Sequence, residues 1–144
     1  MAYKTIITAV DLSNESSRII ERAVELADGD VSRLYLAHMV EPVAAAYPID
    51  AYAINMTKLQ EEAMAIAAQR LKDIGGKYGV PEDRQLVMAG AAATEIRSKA
   101  EELEADLIVI GSHGTSGWKL LLGSTANKVL HGAPCDIMTV RVGN

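Results

Sequence analysis

The sequence predicts an α/β protein in which five parallel strands form a doubly wound, Rossmann-like sheet. Five short aliphatic runs alternate with four longer segments in which apolar residues recur at helical spacing. This alternation builds a parallel sheet with helices on both faces, and right-handed crossovers leave only doubly wound topologies. Hydrophobic residues make up 49% of the 144 residues, with no Phe and one Trp, as expected for an aliphatic core.

The first half of the chain contains two predicted strands and two predicted helices. Residues 4–10 and 33–40 are nearly continuous aliphatic runs, which is typical of strands buried on both faces. Between them, residues 11–14 offer helix caps and residues 28–30 end the helix. A longer connection over 41–54 leads to a helix over 55–78. The apolar stripe that we expect to face the sheet from this helix consists of Met56, Leu59, Ala63, Ile66, Ala67 and Ile74.

The second half repeats the alternation. Gly75-Gly76 and residues 79–81 are expected to end the long helix. Strands follow at 85–89, 106–110 and 136–142, and helices at 94–102 and from Ser124 to Gly132. The length suits a single domain over residues 1–144.

Composition excludes several classes of function. The formal net charge of −5 argues against a nucleic-acid partner. Cys135 is the only cysteine, so no internal disulfide is expected, as in a reducing cytoplasm. The chain begins without a signal-peptide pattern and contains no apolar run of about 18 residues. We therefore expect a cytoplasmic location and no insertion into a membrane.

The carboxyl ends of the central strands are the expected site. With the strand order 3-2-1-4-5, the first and fourth strands flank the crevice where the winding reverses, and ligands bind there in open α/β sheets. Asp11 and Gly111 lie just past these two strands. Taken alone, an Asp before Ser or Asn most often caps the following helix.

Glycines follow the fourth strand in a pattern that suits phosphate. Gly111-Ser112-His113-Gly114 forms a turn, and Gly123-Ser124-Thr125 opens a predicted helix. Such segments present free amides, and a helix N-terminus carries partial positive charge. The other interpretation is that these glycines only allow positive φ in a turn.

Three segments resemble the universal stress protein family: residues 2–13, residues 105–114, and residues 121–126 together with Val140-Arg141-Val142. The resemblance implies a five-stranded fold of the adenine nucleotide α-hydrolase-like type, and a homodimer through the C-terminal strand. One branch of the family binds ATP or AMP through Gly-x2-Gly-x9-Gly-Ser/Thr, and another branch lacks these glycines. Here eight residues, not nine, separate Gly114 from Gly123.

The resemblance also implies a set of site residues. Asp11 would hydrogen-bond the ribose or base, and Ala9 and Met39 would line the adenine slot. Mg²⁺, if present, would bridge the phosphates with few protein ligands. The residues assigned to the phosphates are Gly111, Ser112, His113, Gly114, Gly123, Ser124 and Thr125.

We therefore expect a dimeric stress-response sensor or regulator that binds ATP or AMP. No general base, nucleophile or Arg cluster is evident near the loop, so we do not expect an efficient enzyme, although slow ATP hydrolysis stays open. The alternative is a nucleotide-free module of the same fold that acts through a protein partner. A response-regulator receiver is excluded, because Ala89-Gly90 and Arg141-Val142 stand where it needs Asp and Lys.

Overall fold

The computed structural model describes residues 3–40, 53–111 and 131–141, and these contain five parallel strands in one sheet. The strands are β1 (Ile6–Ala9), β2 (Leu34–Val40), β3 (Gln85–Ala89), β4 (Leu107–Gly111) and β5 (Asp136–Val140). The helices are α1 (Ser16–Leu26), α2 (Ala53–Lys77) and α3 (Ala92–Glu102). The order β3-β2-β1-β4-β5 confirms the predicted topology. His131 and Gly132 are helical, while the predicted start of that helix at Ser124 lies outside the described residues.

Two apolar clusters lie on opposite faces of the sheet. Alternate residues of β1 divide between them: Ile6 packs with α1 and α2, and Ile7 packs with α3. Ile6, Ile7 and the neighbouring Ile108 are all 0% exposed. Because side chains alternate across a strand, continuous aliphatic runs fill both layers at once. The sheet is therefore doubly wound, as predicted.

The strand β1 begins two residues later than the sequence predicts. The amides of Lys4 and Thr5 donate to the Asp106 carboxylate at 2.9 Å each, while the Asp106 amide donates to the Thr5 carbonyl at 3.0 Å. A side-chain carboxylate thus takes the place of ladder partners at the amino end of the strand. The same contacts tie the start of β1 to the start of β4.

The glycine pair expected to end the long helix lies inside it. A Cβ on Gly75 would be 2.5 Å from Gln85 Nε2, so glycine lets α2 approach the start of β3 closely. The helix ends at Lys77, two residues before Gly79, which has φ +76° and belongs to the second segment predicted to end it. The amides of Gly79 and Val80 donate to the carbonyls of Gly76 and Gly75, which closes the last turn.

The helix α2 extends beyond the strands it covers. Its 25 residues span about 37 Å, whereas β2, with seven residues, spans about 23 Å. Ala67 and Leu71 pack on the sheet, but Leu59 is 42% and Ile66 is 61% exposed, so their predicted inward orientation is wrong. Because the C-terminal end of α2 leads to β3, its N-terminal half overhangs the carboxyl edge of the sheet. None of the described helices combines the length and apolarity needed to cross a membrane.

Thr8 offers a test of the core. It is 0% exposed in the centre of β1, and its Oγ1 has no hydrogen-bond partner among the described residues. A buried hydroxyl without a hydrogen-bond partner destabilises the folded state, because its desolvation is not compensated. Val has the same shape as Thr but carries no hydroxyl, so it avoids this cost. We expect Thr8→Val to raise the free energy of unfolding in urea by about 1 kcal/mol. Thr94→Val, at an exposed position of α3, is the control, and equal effects of the two variants would contradict the assignment.

Candidate functional site

The register of the central strands brings two predicted site positions to one edge of the sheet. β1 pairs in parallel with β4 from Ile6↔Leu107 to Thr8↔Val109. Continuing this register along both strands brings Asp11 and Gly111 to the same carboxyl edge, on either side of the point where the winding reverses.

Most of the predicted phosphate contacts lie outside the described residues. These positions are Ser112, His113, Gly114, Gly123, Ser124 and Thr125. Gly111 is described: it is the last residue of β4, is buried, and pairs with Val140. The assignment of phosphate contacts to the glycine segments therefore stays a prediction.

Ala9 and Met39, assigned to the adenine slot, have buried side chains. They are 2% and 7% exposed and belong to the core cluster beneath α3. Ala9 ends β1, and Met39 is the next-to-last residue of β2. Because both side chains are packed in the core, an adenine base placed at the carboxyl ends of β1 and β2 would contact mainly the backbone of these two residues.

Asp11 organises the turn between β1 and α1. Its Oδ1 accepts hydrogen bonds from the Ser13 amide (2.9 Å), the Ser13 hydroxyl (2.5 Å) and the Ser16 hydroxyl (3.2 Å). The N-cap position of α1 belongs to Glu15, so Asp11 is not the N-cap that a local interpretation of the sequence suggests. Among the described residues, Asp11 Oδ2 accepts no hydrogen bond.

Side chains from two other elements hold the backbone on either side of Asp11. The Val10 carbonyl lies 2.9 Å from His38 Nδ1, and the Leu12 carbonyl accepts a hydrogen bond from Arg70 Nη2 at 3.0 Å. Leu12 has φ +64°, which L-residues with large side chains rarely adopt. The turn is thus tied to both β2 and α2.

A pocket of about 280 Å³ opens between this turn, the end of β2 and the overhang of α2. Asp11, His38 and Arg70 are its polar lining, and Val40, Ala63 and Ile66 contribute apolar walls. This volume lies just below the range of about 300–1,000 Å³ typical of ligand sites. The pocket therefore suits one part of a ligand, such as a base or a sugar.

His38 presents a neutral imidazole to the pocket. A carbonyl can only accept, so Nδ1–H donates to Val10, and Nε2 carries the free lone pair. Burial holds the pKa of His38 below its ordinary value, and the positive charge of Arg70 lowers that pKa further. The hydrogen bond to Val10 and the Asp11 carboxylate act in the opposite direction. Two of the side chains that line the pocket, the Asp11 carboxylate and the neutral His38 imidazole, can therefore accept hydrogen bonds.

The sequence interpretation did not assign His38 and Arg70 to the site. His38 precedes Met39 at the carboxyl end of β2, so its position along the strand was a usable signal. Arg70 carried no such signal, because it is an exposed helical residue 58 positions from the carbonyl that it contacts.

The environment of His38 predicts a loss of stability at acid pH. Its folded-state pKa lies below the ordinary value of 6.5. As the pH falls from that value toward the lowered pKa, the unfolded chain gains a proton that the folded protein resists, which favours unfolding by at most about 1.4 kcal/mol per pH unit. We expect urea denaturation between about pH 7.5 and pH 5 to show this decline, and His38→Asn to reduce it. His131→Asn, at an exposed histidine, should preserve the slope; equal slopes in wild type and His38→Asn would contradict the assignment.

Comparisons with known proteins agree with this architecture. The model of the universal stress protein family matches residues 2–141. Universal stress protein A homolog 2 of Coxiella burnetii is 40% identical, over 97% of this chain and 96% of its own. The solved UspA of Lactobacillus plantarum is 24% identical with a TM-score of 0.77, covering 98% of this chain and 100% of its own. A universal stress protein solved in complex with cAMP is 26% identical with a TM-score of 0.61, covering 97% and 98%. The chain belongs to the universal stress protein family.

Proposed function

We propose that this protein is a cytoplasmic stress-response regulator that binds an adenine nucleotide, ATP or AMP, at the carboxyl edge between β1 and β4. The observation that carries the proposal is the Asp11 carboxylate, whose Oδ2 has no hydrogen-bond partner among the described residues, beside a pocket at the point where the winding reverses. Gly111, which begins the glycine pattern, ends the neighbouring strand at the same edge.

The nucleoside end of the ligand fits the polar groups of the turn. Ribose hydroxyls and the adenine amino group are donors, and Asp11 Oδ2 is an acceptor that the described protein leaves unused. The cAMP complex of the related protein supports this interpretation, because cAMP contains the same base and sugar.

The phosphates would follow the glycine segments. A chain with net charge −5 repels free phosphate overall, so binding depends on local amides and helix dipoles. Gly111 and Gly114 would let the backbone approach the phosphates, while Gly123, Ser124 and Thr125 would supply amides and hydroxyls at a helix start. Mg²⁺ would then be held mainly by the phosphate oxygens. The described residues contain no cluster of three or more His, Cys, Asp or Glu suited to a metal ion.

We also propose that the protein binds its ligand without efficient turnover. Of the described residues that line the pocket, Arg70 is the one cation, and it already donates to the Leu12 carbonyl. Fast phosphoryl transfer needs converging charges and a positioned nucleophile, and no general base, nucleophile or Arg cluster is evident in the sequence near the glycine segments.

A homodimer through β5 is part of the same proposal. This strand ends the sheet: β4 pairs with one side, and no described strand pairs with the other. An unpaired edge is a template for another strand, and a second copy of β5 supplies one by two-fold symmetry.

The alternative function is a nucleotide-free module that acts through a protein partner. The eight-residue spacing between Gly114 and Gly123 favours it, because one missing residue displaces the third glycine by up to about 3.5 Å. The two functions differ in whether the purified protein binds nucleotide.

Calorimetric titration with ATP and Mg²⁺ tests the nucleotide site. We expect the wild type to bind, and Gly114→Val to weaken binding by about tenfold or more, because a side chain keeps the amides from the phosphates. Asp11→Ala should weaken binding by a similar factor, whereas Gly76→Ala should not, since a Cβ at Gly76 meets no atom within 4 Å. Phosphate release by the same samples should stay at background.

Two results would contradict this proposal. Negligible heat from the wild type would favour the nucleotide-free module. Steady release of phosphate, well above the rate in buffer, would instead indicate an ATP-hydrolysing enzyme.

Sedimentation velocity tests the dimer. Thr139 is exposed on β5, and Thr139→Asp would oppose like charges across a two-fold interface. We expect the wild type to sediment as a dimer and Thr139→Asp to shift it toward the monomer. Ala89→Asp adds the same charge at an exposed residue of β3, on the opposite edge, and should leave the dimer intact. A wild-type monomer, or equal effects of both variants, would rule out this interface.

A further inference from the structure

The two carbonyls that flank Asp11 are each held by a side chain from a distant part of the chain. His38, on β2, donates from Nδ1 to the Val10 carbonyl at 2.9 Å. Arg70, on α2, donates to the Leu12 carbonyl at 3.0 Å. The peptide segment 10–12 is therefore restrained from both sides, in addition to the local bonds that Asp11 Oδ1 makes.

This segment needs restraint because its conformation is unfavourable by itself. Leu12 has φ +64°, and a large L-residue in this region costs about 1–3 kcal/mol. Such a conformation persists only where the surroundings impose it. The bond from Arg70 is made to the Leu12 carbonyl itself, and a relaxed φ would move that carbonyl away from the guanidinium.

The direction of the Asp11 carboxylate depends on the same segment. Oδ1 is committed to Ser13 and Ser16, so rotation of the 10–12 backbone would carry the whole carboxylate with the turn. The Asp11 carboxylate would then be displaced from the pocket that Asp11, His38 and Arg70 line.

We propose that His38 and Arg70 are positioning residues for the nucleotide: they hold the backbone on either side of Asp11 so that Oδ2 faces the ligand. This inference rests on the proposed function. It assigns to α2 a part in binding, through a hydrogen bond to the turn. By linkage, nucleotide bound at Asp11 would in turn strengthen the contact between Arg70 and Leu12.

Arg70 can be changed with little risk to the fold, because its side chain is exposed. We expect Arg70→Met to weaken ATP binding in calorimetry by about tenfold, and Arg70→Lys, which keeps a cationic donor, by about threefold or less. Lys72→Met removes an equal charge from the same helix, where Lys72 is 56% exposed and its nearest acid, Glu82, is 3.9 Å away. This control should change the affinity by less than about twofold.

A double-mutant cycle separates positioning from a general loss of stability. If Arg70 acts through Asp11, Arg70→Met should have no further effect on ATP affinity in an Asp11→Ala background. Additive effects in the cycle would show that Arg70 acts independently of Asp11, and would overturn the inference.

His38 is tested in the same way. His38→Asn keeps a donor near the position of Nδ1 and should retain affinity within about threefold, whereas His38→Leu should lose about tenfold. Urea denaturation of each variant establishes that it is folded at the temperature of the titration.

The outcomes separate this inference from the function on which it rests. The wild type could bind ATP with an affinity that neither Arg70→Met nor His38→Leu weakens beyond twofold. This result would overturn the positioning role and leave the nucleotide site standing. Absence of ATP binding in the wild type would overturn both.

Discussion

The parallel pairing of β1 with β4, with β2 on the other side of β1, is the constraint on which the candidate site depends. It places α1 and α2 on one face of the sheet and α3 on the other, so the connections leave the carboxyl edge in opposite directions. In open α/β sheets, ligands bind at the edge where the winding reverses in this way. Asp11 and Gly111 lie at this edge because the register of the two strands brings their ends together.

The turn that carries Asp11 shows how a rigid scaffold supports an unfavourable local conformation. The positive φ of Leu12 costs about 1–3 kcal/mol, and hydrogen bonds from Arg70 and His38 contribute on the order of 1 kcal/mol each. The conformational cost at Leu12 and the stabilisation by the two hydrogen bonds are of similar size. The conformation of the turn therefore depends on β2 and α2. The part of α2 that overhangs the sheet also contributes to the candidate site, because it brings Arg70 and Ile66 to the pocket beside Asp11.

Local patterns predicted the elements well where local forces decide them, and failed where a partner distant in the sequence intervenes. The strand β3 has its predicted bounds. Lys4 and Thr5 leave the ladder because the Asp106 carboxylate satisfies their amides. Gly75 lies inside a helix, at a point where the absence of a side chain leaves room for Gln85. None of these contacts can be inferred from neighbouring residues alone.

By itself, the sequence determined the fold class, because aliphatic periodicity and crossover handedness leave few arrangements for such a chain. Its resemblance to universal stress proteins indicated the family, and the expected strand order placed Asp11 and Gly111 at one edge of the sheet. Only the tertiary structure decided which groups surround Asp11. That Arg70 reaches the Leu12 carbonyl, and that Ile66 faces outward, follows from a helix longer than the strands it covers. Helical periodicity states which residues share a face, but not how far along the sheet that face extends.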